Sequence, residues 1–256
     1  MQIITMAAIK GGTGKTTTAA ALSQAAAAAG KRVIVIDMDP QANATYFIGA
    51  DQNKAGCYEL LHGADPAALI QHTEQGIDVI SGSPDLATER TSTASAKRLQ
   101  QAIEPLQAAY DYCFIDTPPQ IGELTLNALQ ASTGLIIPLE ADNSSLQGLY
   151  QVSDIAHHIQ RSNPGLSLMG TILTRYDGRP KINRTYQEAI EAAGKEARAP
   201  YLMAIRPGIA IKEAQALQQS IYTYAPNSKP AQDYLKLFGM VEAAGNAAAP
   251  STNPIK

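Results

Sequence analysis

Eight consecutive residues carry the first recognisable chemistry in this chain: Lys10-Gly11-Gly12-Thr13-Gly14-Lys15-Thr16-Thr17. Glycines let successive backbone N–H groups converge on an anion, and a helix beginning just beyond adds unpaired donors and partial positive charge. Lys15 can reach β- and γ-phosphates as a point charge, and Thr16 is placed to ligate Mg²⁺ through its hydroxyl. The common phosphate loop, G-x-x-x-x-G-K-S/T, needs a glycine at position 9. Isoleucine stands there, and an additional lysine, Lys10, precedes the glycines. A plain glycine turn before a helix leaves unexplained why loop, lysine and threonines coincide after an apolar strand.

Carboxylates join them. Asp37-Met38-Asp39-Pro40-Gln41 follows one apolar run, and Asp116-Thr117-Pro118-Pro119 follows another. A carboxylate after an apolar strand is the Walker-B arrangement, which holds Mg²⁺ or its waters. Any one of these aspartates alone could be a strand-end cap; three beside a phosphate loop argue for a nucleotide site. The other chemistry-bearing residues show no pattern. Cys57 and Cys113 lack CxxC spacing, and His62, His72 and the His157-His158 pair have no ligand spacing.

Positioning such a loop requires strands that end where helices begin. Apolar runs at 3–9, 33–36, 77–80, 112–115, 135–139, 168–173 and 202–205 read as strands, several without the alternation of a half-exposed sheet. Segments 15–29, 97–109, 123–131, 145–161, 184–193 and 209–219 read as helices, rich in Ala, Leu, Gln and Glu. Gly30 stops the first of them, and Lys31-Arg32 lead into the next strand. The alternation predicts an α/β fold: a mostly parallel twisted sheet with helices on both faces, its ligand at the carboxyl edge. No repeat or Pro/Ser-rich linker divides the chain, so residues 1–245 are expected to form one domain. Residues 246–256, with two prolines and no amphipathic pattern, are expected to be a flexible tail.

Composition excludes some classes. The 256 residues are 45% hydrophobic and 17% charged, too apolar for a disordered polyelectrolyte. No window approaches the roughly 18 apolar residues of a membrane span, and the apolar start is too short for a signal peptide. A cytoplasmic protein that does not act on membranes is expected. The net charge of −3 hides a division. Residues 1–160 hold 8 basic and 16 acidic side chains, whereas 161–213 hold 9 basic and 5 acidic.

Taken together, these motifs resemble a known family. Lys10 to Thr17 looks like the deviant Walker A motif of the ParA/MinD ATPases. Asp37-Met38-Asp39-Pro40-Gln41-Ala42-Asn43 resembles their second motif, and Phe114-Ile115-Asp116-Thr117-Pro118-Pro119 their Walker B. Ile137-Pro138-Leu139-Glu140, Leu146-Gln147-Gly148-Leu149, Ile172 to Asp177, Ile205 to Ala214 and Asn227 to Tyr234 continue the likeness over residues 1–240, towards the partition branch.

The resemblance implies a P-loop ATPase, using Mg²⁺ and converting ATP and water to ADP and phosphate. Gly11, Gly12, Thr13, Gly14, Lys15, Thr16, Thr17 and Arg206 would bind nucleotide, and Thr16, Asp37 and Asp116 would serve the metal. Lys10, Lys15 and Asp39 would be catalytic: Lys10 reaching across to a partner's phosphates, Asp39 orienting water. It further implies an ATP-bound sandwich homodimer that binds double-stranded DNA without sequence preference. That dimer would associate with the nucleoid, and a ParB-like partner would stimulate its hydrolysis. From the basic stretch, Arg179, Lys181, Arg184, Arg198, Arg206 and Lys212 are the expected phosphate contacts on DNA. Ala8-Ile9 depart from the Asn-Gln that usually precedes the lysine. With the motif starting ten residues from Met1, no helix-turn-helix is expected ahead of it. A MinD-like positioning ATPase acting on a membrane or protein cargo is the alternative. The chain's end lacks the basic amphipathic helix that role would use. Cluster-bearing relatives need paired cysteines at the dimer interface, which this chain does not offer.

Overall fold

A computed structural model describes residues 1–89 and 97–248. In chain order the elements are β1 (Gln2–Met6), α1 (Lys15–Ala28), β2 (Val33–Asp37), α2 (Asn43–Ile48), α3 (Cys57–Leu61), α4 (Pro66–Leu69), β3 (Gln71–His72), β4 (Asp78–Ile80), α5 (Arg98–Ala102), β5 (Tyr112–Asp116), α6 (Glu123–Ala131), β6 (Gly134–Leu139), α7 (Asn143–Ile159), β7 (Ser167–Leu173), α8 (Lys181–Glu196), β8 (Tyr201–Ala204), α9 (Ile209–Ala216), α10 (Ile221–Tyr224) and α11 (Lys229–Ala248). The strands form one sheet in the order β3-β4-β2-β5-β1-β6-β7-β8. Each neighbouring pair is parallel except β3 with β4.

Strand residues alternate between two cores. Ile4 and Met6 of β1, Val33 and Val35 of β2, and Tyr112 and Phe114 of β5 face α1 and α11. Ile3, Ile34, Ile36, Cys113 and Ile115 face the opposite side, under α3, α5 and α6. Beyond β1 that second face continues as Leu135, Ile137 and Leu139 against α7 and α8. Both faces are covered, which is why the strands read as continuous apolar runs. Helix α1 is enclosed too, with Ala19 to Ala26 all buried between sheet and α11. Small side chains permit that close packing, and Tyr234 of α11 meets Thr18 through hydroxyls 3.1 Å apart.

The expected alternation holds, with local differences. The first strand ends at Met6 rather than at 9, because Ala7 to Ile9 leave the sheet to enter the glycine loop. The expected helix 97–109 is α5 followed by a 3₁₀ turn at Glu104–Leu106; Pro105 has no N–H to continue the α-helical ladder. Helix α8 begins at Lys181, directly after Pro180, rather than at 184. The two-residue β3 and short helices α2, α3, α4 and α10 carry too few residues for a periodic signal. At the far end α11 runs on to Ala248, past the expected domain limit of 245, and residues 249–256 of the expected tail lie outside the described residues.

Candidate active site

Parallel strands bring every loop that follows them to one edge. Lys10 to Thr17 follow β1, Asp39 follows β2, Asp116 ends β5, Glu140 and Asp142 follow β6, Thr174 and Arg175 follow β7, and Arg206 to Gly208 follow β8. The loops after β1, β2, β5, β7 and β8 border a cavity of about 400 Å³ lined by the glycine loop, Asp39, Gln41, Asn43, Arg175, Arg206 and Lys212, with Phe47, Ile205, Ile211 and Tyr234 as apolar wall.

The loop is built to receive an anion. Gly12 and Gly14 have φ of 77° and 90°, in the left-handed region that favours glycine. A Cβ on Gly14 would also lie 3.2 Å from Thr174 Cγ2. Gly14 caps α1 with no side-chain acceptor, and no acidic residue stands in the first turn. The N–H groups that open α1 therefore await a partner from outside. Thr174 Oγ1 braces the loop by donating to the Thr13 carbonyl at 2.8 Å. Lys15 is buried, and among the described residues its ammonium donates only to the Lys10 carbonyl, at 3.5 Å. Burial lowers its pKa, while Asp116 and Asp39 act to raise it. A buried cation so thinly partnered suits a phosphate.

The three expected aspartates occupy different settings. Asp37 and Asp116 are register partners on β2 and β5. Asp116 is fully buried, and among the described residues neither carboxylate oxygen has a hydrogen-bond partner. Burial, with Asp37 next to it, pushes its pKa well above the carboxylate range; the Thr16 hydroxyl works the other way without completing a bond. Asp37 is equally buried, but both its oxygens are engaged. Oδ2 accepts the Thr45 N–H and hydroxyl, each at 2.8 Å, and Oδ1 accepts the Asp39 N–H at 3.1 Å. Burial raises Asp37 to about 6. Thr45 Oγ1 in turn accepts the Gly82 N–H at 3.0 Å. Asp37 thus ties β2 to α2 and to the turn after β4. Asp39 lies at the cavity wall, with Oδ1 accepting the Gln41 N–H at 3.0 Å.

Among the described residues, no group of three His, Cys, Asp or Glu forms a metal cage. Mg²⁺ does not require one, since it keeps several waters and binds one or two carboxylates with substrate phosphates. The orphaned oxygens of Asp116 beside Thr16 and Lys15 fit such an ion, because buried polar atoms without partners need a bound group to account for them.

Lys10 is engaged within its own chain. Its ammonium lies 2.7 Å from Glu140 Oε2 and 2.5 Å from Asp142 Oδ2. Asp142, then Glu140, raise its pKa. Asp142 falls to about 2 despite burial, held down by Lys10 and by Ser144 and Ser145. Arg175 donates to both the Gly12 carbonyl and Glu140.

The expected DNA contacts are not brought together. Arg179 pairs with Asp177, and Arg184 donates to the carbonyls of Gly178 and Arg179, all at the carboxyl edge beside Lys181. Arg198 lies past the other end of α8, whose 16 residues span about 24 Å. Arg206 and Lys212 line the cavity, and Arg206 makes a two-nitrogen pair with Asp233, 2.7 and 2.8 Å. Glu140, Asp142, Thr174, Arg175 and Asp233 were missed as site residues. Glu140 and Asp142 carried the same signal as Asp37 and Asp116, a carboxylate just past an apolar strand.

Residues 1–168 match the family model of the AAA domain AAA_31. The sporulation initiation inhibitor protein Soj of Bacillus subtilis (strain 168) is 35% identical over 253 residues, covering 95% of this chain and 99% of that protein. The chromosome-partitioning ATPase Soj of Thermus thermophilus is 34% identical over 236 residues, covering 91% and 92%. Among solved structures, cobyrinic acid a,c-diamide synthase from Mycobacterium smegmatis, with bound ATP analog and magnesium, superposes with a TM-score of 0.83 at 27% identity over 97% of each chain. The septum site-determining protein MinD from Pyrococcus horikoshii, complexed with Mg-ADP, gives 0.77 at 25% over 97% of this chain and 99% of that one. Sheet, glycine loop and strand-end carboxylates define a P-loop NTPase with a deviant Walker A motif. Within that class the chain belongs to the ParA/Soj family. No helix among the described residues is long and apolar enough to cross a membrane.

Proposed function

We propose that the chain is a DNA-partition ATPase that cycles between a free subunit and an ATP-bound homodimer. The observation that carries the chemistry is the pairing of buried, thinly partnered Lys15 with the orphaned carboxylate of Asp116 at one phosphate-sized cradle. The glycine-loop N–H groups and Lys15 bind the phosphate chain. Thr16 and Asp116 hold Mg²⁺, which offsets charge on the phosphate oxygens. Asp39 accepts a hydrogen bond from the attacking water and orients it; ATP and water become ADP and phosphate. Asp37 acts at a distance, keeping β2 and α2 in place so that Asp39 faces the cavity. Lys10 leaves Glu140 and Asp142 to reach the nucleotide of the second subunit.

Partition is supported by the relatives' roles and by the basic residues at the carboxyl edge. Dimerisation would double those residues on one face, giving a phosphate-backbone site for duplex DNA without base reading. A ParB-like protein would then trigger hydrolysis and release. The deciding experiment is ATP turnover with Mg²⁺ alone, with non-specific duplex DNA, with a cognate ParB-like protein, and with anionic liposomes. Stimulation by DNA plus partner supports the reading. Stimulation by liposomes alone would replace it with a membrane-positioning cycle.

A further inference from the structure

Two consecutive residues just past β7 hold two consecutive peptide units of the glycine loop. The Thr174 hydroxyl donates to the Thr13 carbonyl at 2.8 Å, with the Leu139 carbonyl farther off at 3.2 Å. The Arg175 guanidinium donates to the Gly12 carbonyl. Both residues are themselves carried by the sheet. The Thr174 N–H donates to Leu139, the last residue of β6, at 2.8 Å, and the Tyr176 N–H to Ile205, just past β8, at 2.9 Å. Arg175 lies between those two bonds at φ 51°, a left-handed backbone that a side chain adopts only where its surroundings impose it. Thr174 is buried, and its methyl lies where a side chain on Gly14 would need to go.

The carbonyl of Gly12 shares one planar peptide unit with the N–H of Thr13, and the carbonyl of Thr13 shares the next with the N–H of Gly14. In a trans unit the two groups point opposite ways. Holding both carbonyls therefore sets the direction of two successive N–H groups. Among the described residues neither N–H has an acceptor, and successive free N–H groups are what a phosphate oxygen takes up. The loop needs such a hold, because glycine visits both signs of φ about equally and three of its residues are glycine. An unheld loop would present its donors only part of the time, and affinity would fall in proportion to that fraction.

We propose that Thr174 and Arg175 are positioning residues that clamp the glycine loop in its phosphate-receiving shape before nucleotide arrives. The clamp rests on the reading of that loop as the phosphate cradle. It acts on main-chain direction rather than on base or ribose. Its loss should therefore cost ATP, ADP and inorganic tripolyphosphate the same factor. Thr174→Val is the cleaner variant, since it keeps the side-chain shape and changes no charge. Arg175 also pairs with Glu140, so part of its effect is electrostatic and should fade with salt, whereas the clamping part should persist.

The test uses the full chain carrying Asp39→Ala, so that ATP stays intact, in titration calorimetry with the magnesium complexes of the three ligands. Thr174→Val should weaken all three roughly threefold to tenfold, the net worth of one hydrogen bond. The loss should fall on the association rate of a fluorescent ATP analogue in stopped flow, with its dissociation rate little changed. Thr174→Ser retains the hydroxyl and should return both readings towards the parent. Arg175→Met should weaken binding too, with a loss of roughly twofold to fivefold remaining at high salt. Parental affinities in Thr174→Val and Arg175→Met, whatever their melting temperatures, overturn the clamp. So does a loss for ATP and ADP that spares tripolyphosphate, which would set the two residues against base or ribose, and so does a Thr174→Ser loss equal to that of Thr174→Val. A parent that binds none of the three ligands overturns the cradle reading and the clamp together, whereas a binding parent with unresponsive variants overturns the clamp alone.

Discussion

Asp116 and Asp39 are both aspartates at one sheet edge, yet their surroundings prepare them for different work. Asp39 is anchored by one oxygen at the cavity wall, as a water-orienting group should be. Asp39→Ala should therefore retain nucleotide and lose turnover by roughly a hundredfold or more, read from steady-state phosphate release beside equilibrium ATP binding. Lys15→Ala should weaken ATP binding itself by about 1.5–3 kcal/mol, since it removes a charge-assisted contact. Asp116 and Asp37 set a pH dependence. Their folded pKa values lie above the unfolded ones, Asp37 at about 6 and Asp116 well above the ordinary carboxylate range, both because of burial. Below about pH 4 both states are protonated and there is no penalty. As pH rises towards 6 the unfolded chain ionises first, so stability is lost, and the buried carboxyl of Asp116 adds a loss of the same sign. Asp116→Asn should thus stabilise the nucleotide-free protein at pH 8 by about 1–3 kcal/mol, or roughly 2–9 °C in Tm, while abolishing Mg²⁺-dependent stabilisation by ATP. An Asp116→Asn protein that melts no higher than wild type at pH 8 would refute this account of the orphaned carboxylate. At this scale the glycine loop was fully legible, because glycine and lysine spacing records a backbone shape. The partners of Lys10 were not, although Glu140 follows its strand just as Asp116 ends its own.

Helix α2 lines the cavity with Asn43 and Phe47, and it also shows how an element can be held by the residues it serves. Its six residues are held by Asp37 through Thr45, and Thr45 in turn holds Gly82. Thr45→Val removes the hydroxyl from this chain and leaves Asp37 with one fewer donor. It should cost about 2 kcal/mol in denaturant unfolding and slow turnover through misplacement of Asp39, with Thr45→Ser restoring both. Likewise Asp233 of α11 fixes the Arg206 wall of the cavity by accepting from its backbone and guanidinium. Strands were readable because burial on both faces makes them uniformly apolar. Elements of four to six residues were not, since α2 is held by a side-chain tie from Asp37, at the end of the preceding strand, rather than by its own periodicity. Helix α5 ended early for a reason the sequence did contain, Pro105.

For the whole molecule the question is where its positive charge can act. The six expected DNA contacts divide into a carboxyl-edge group, two cavity residues and the remote Arg198. The carboxyl-edge group faces the same way as the ATP site, so DNA affinity should depend on ATP. Lys181→Glu with Arg184→Glu should weaken ATP-dependent duplex binding and flatten its salt dependence by about two counterions per subunit, whereas Arg198→Glu should change neither. Fluorescence anisotropy across a salt series with ATP decides it; an Arg198→Glu effect equal to the others would place DNA along α8 instead. A charge division along the chain was legible in sequence, but its partition among three places was not, because linear neighbours at the two ends of a 16-residue helix are far apart in space.

Cys57 and Cys113 are both completely enclosed, one opening α3 and the other inside β5, three residues before Asp116. Burial raises both thiol pKa values, so neither reacts while the chain stays closed. A thiol reagent therefore times the opening of the sheet around the Asp116 strand, with no engineered probe. Nucleotide that bridges the loops of β1 and β5 should lengthen that interval, and the ratio of labelling half-lives with and without Mg-ATP becomes a clock for how firmly the ligand fastens the centre of the sheet.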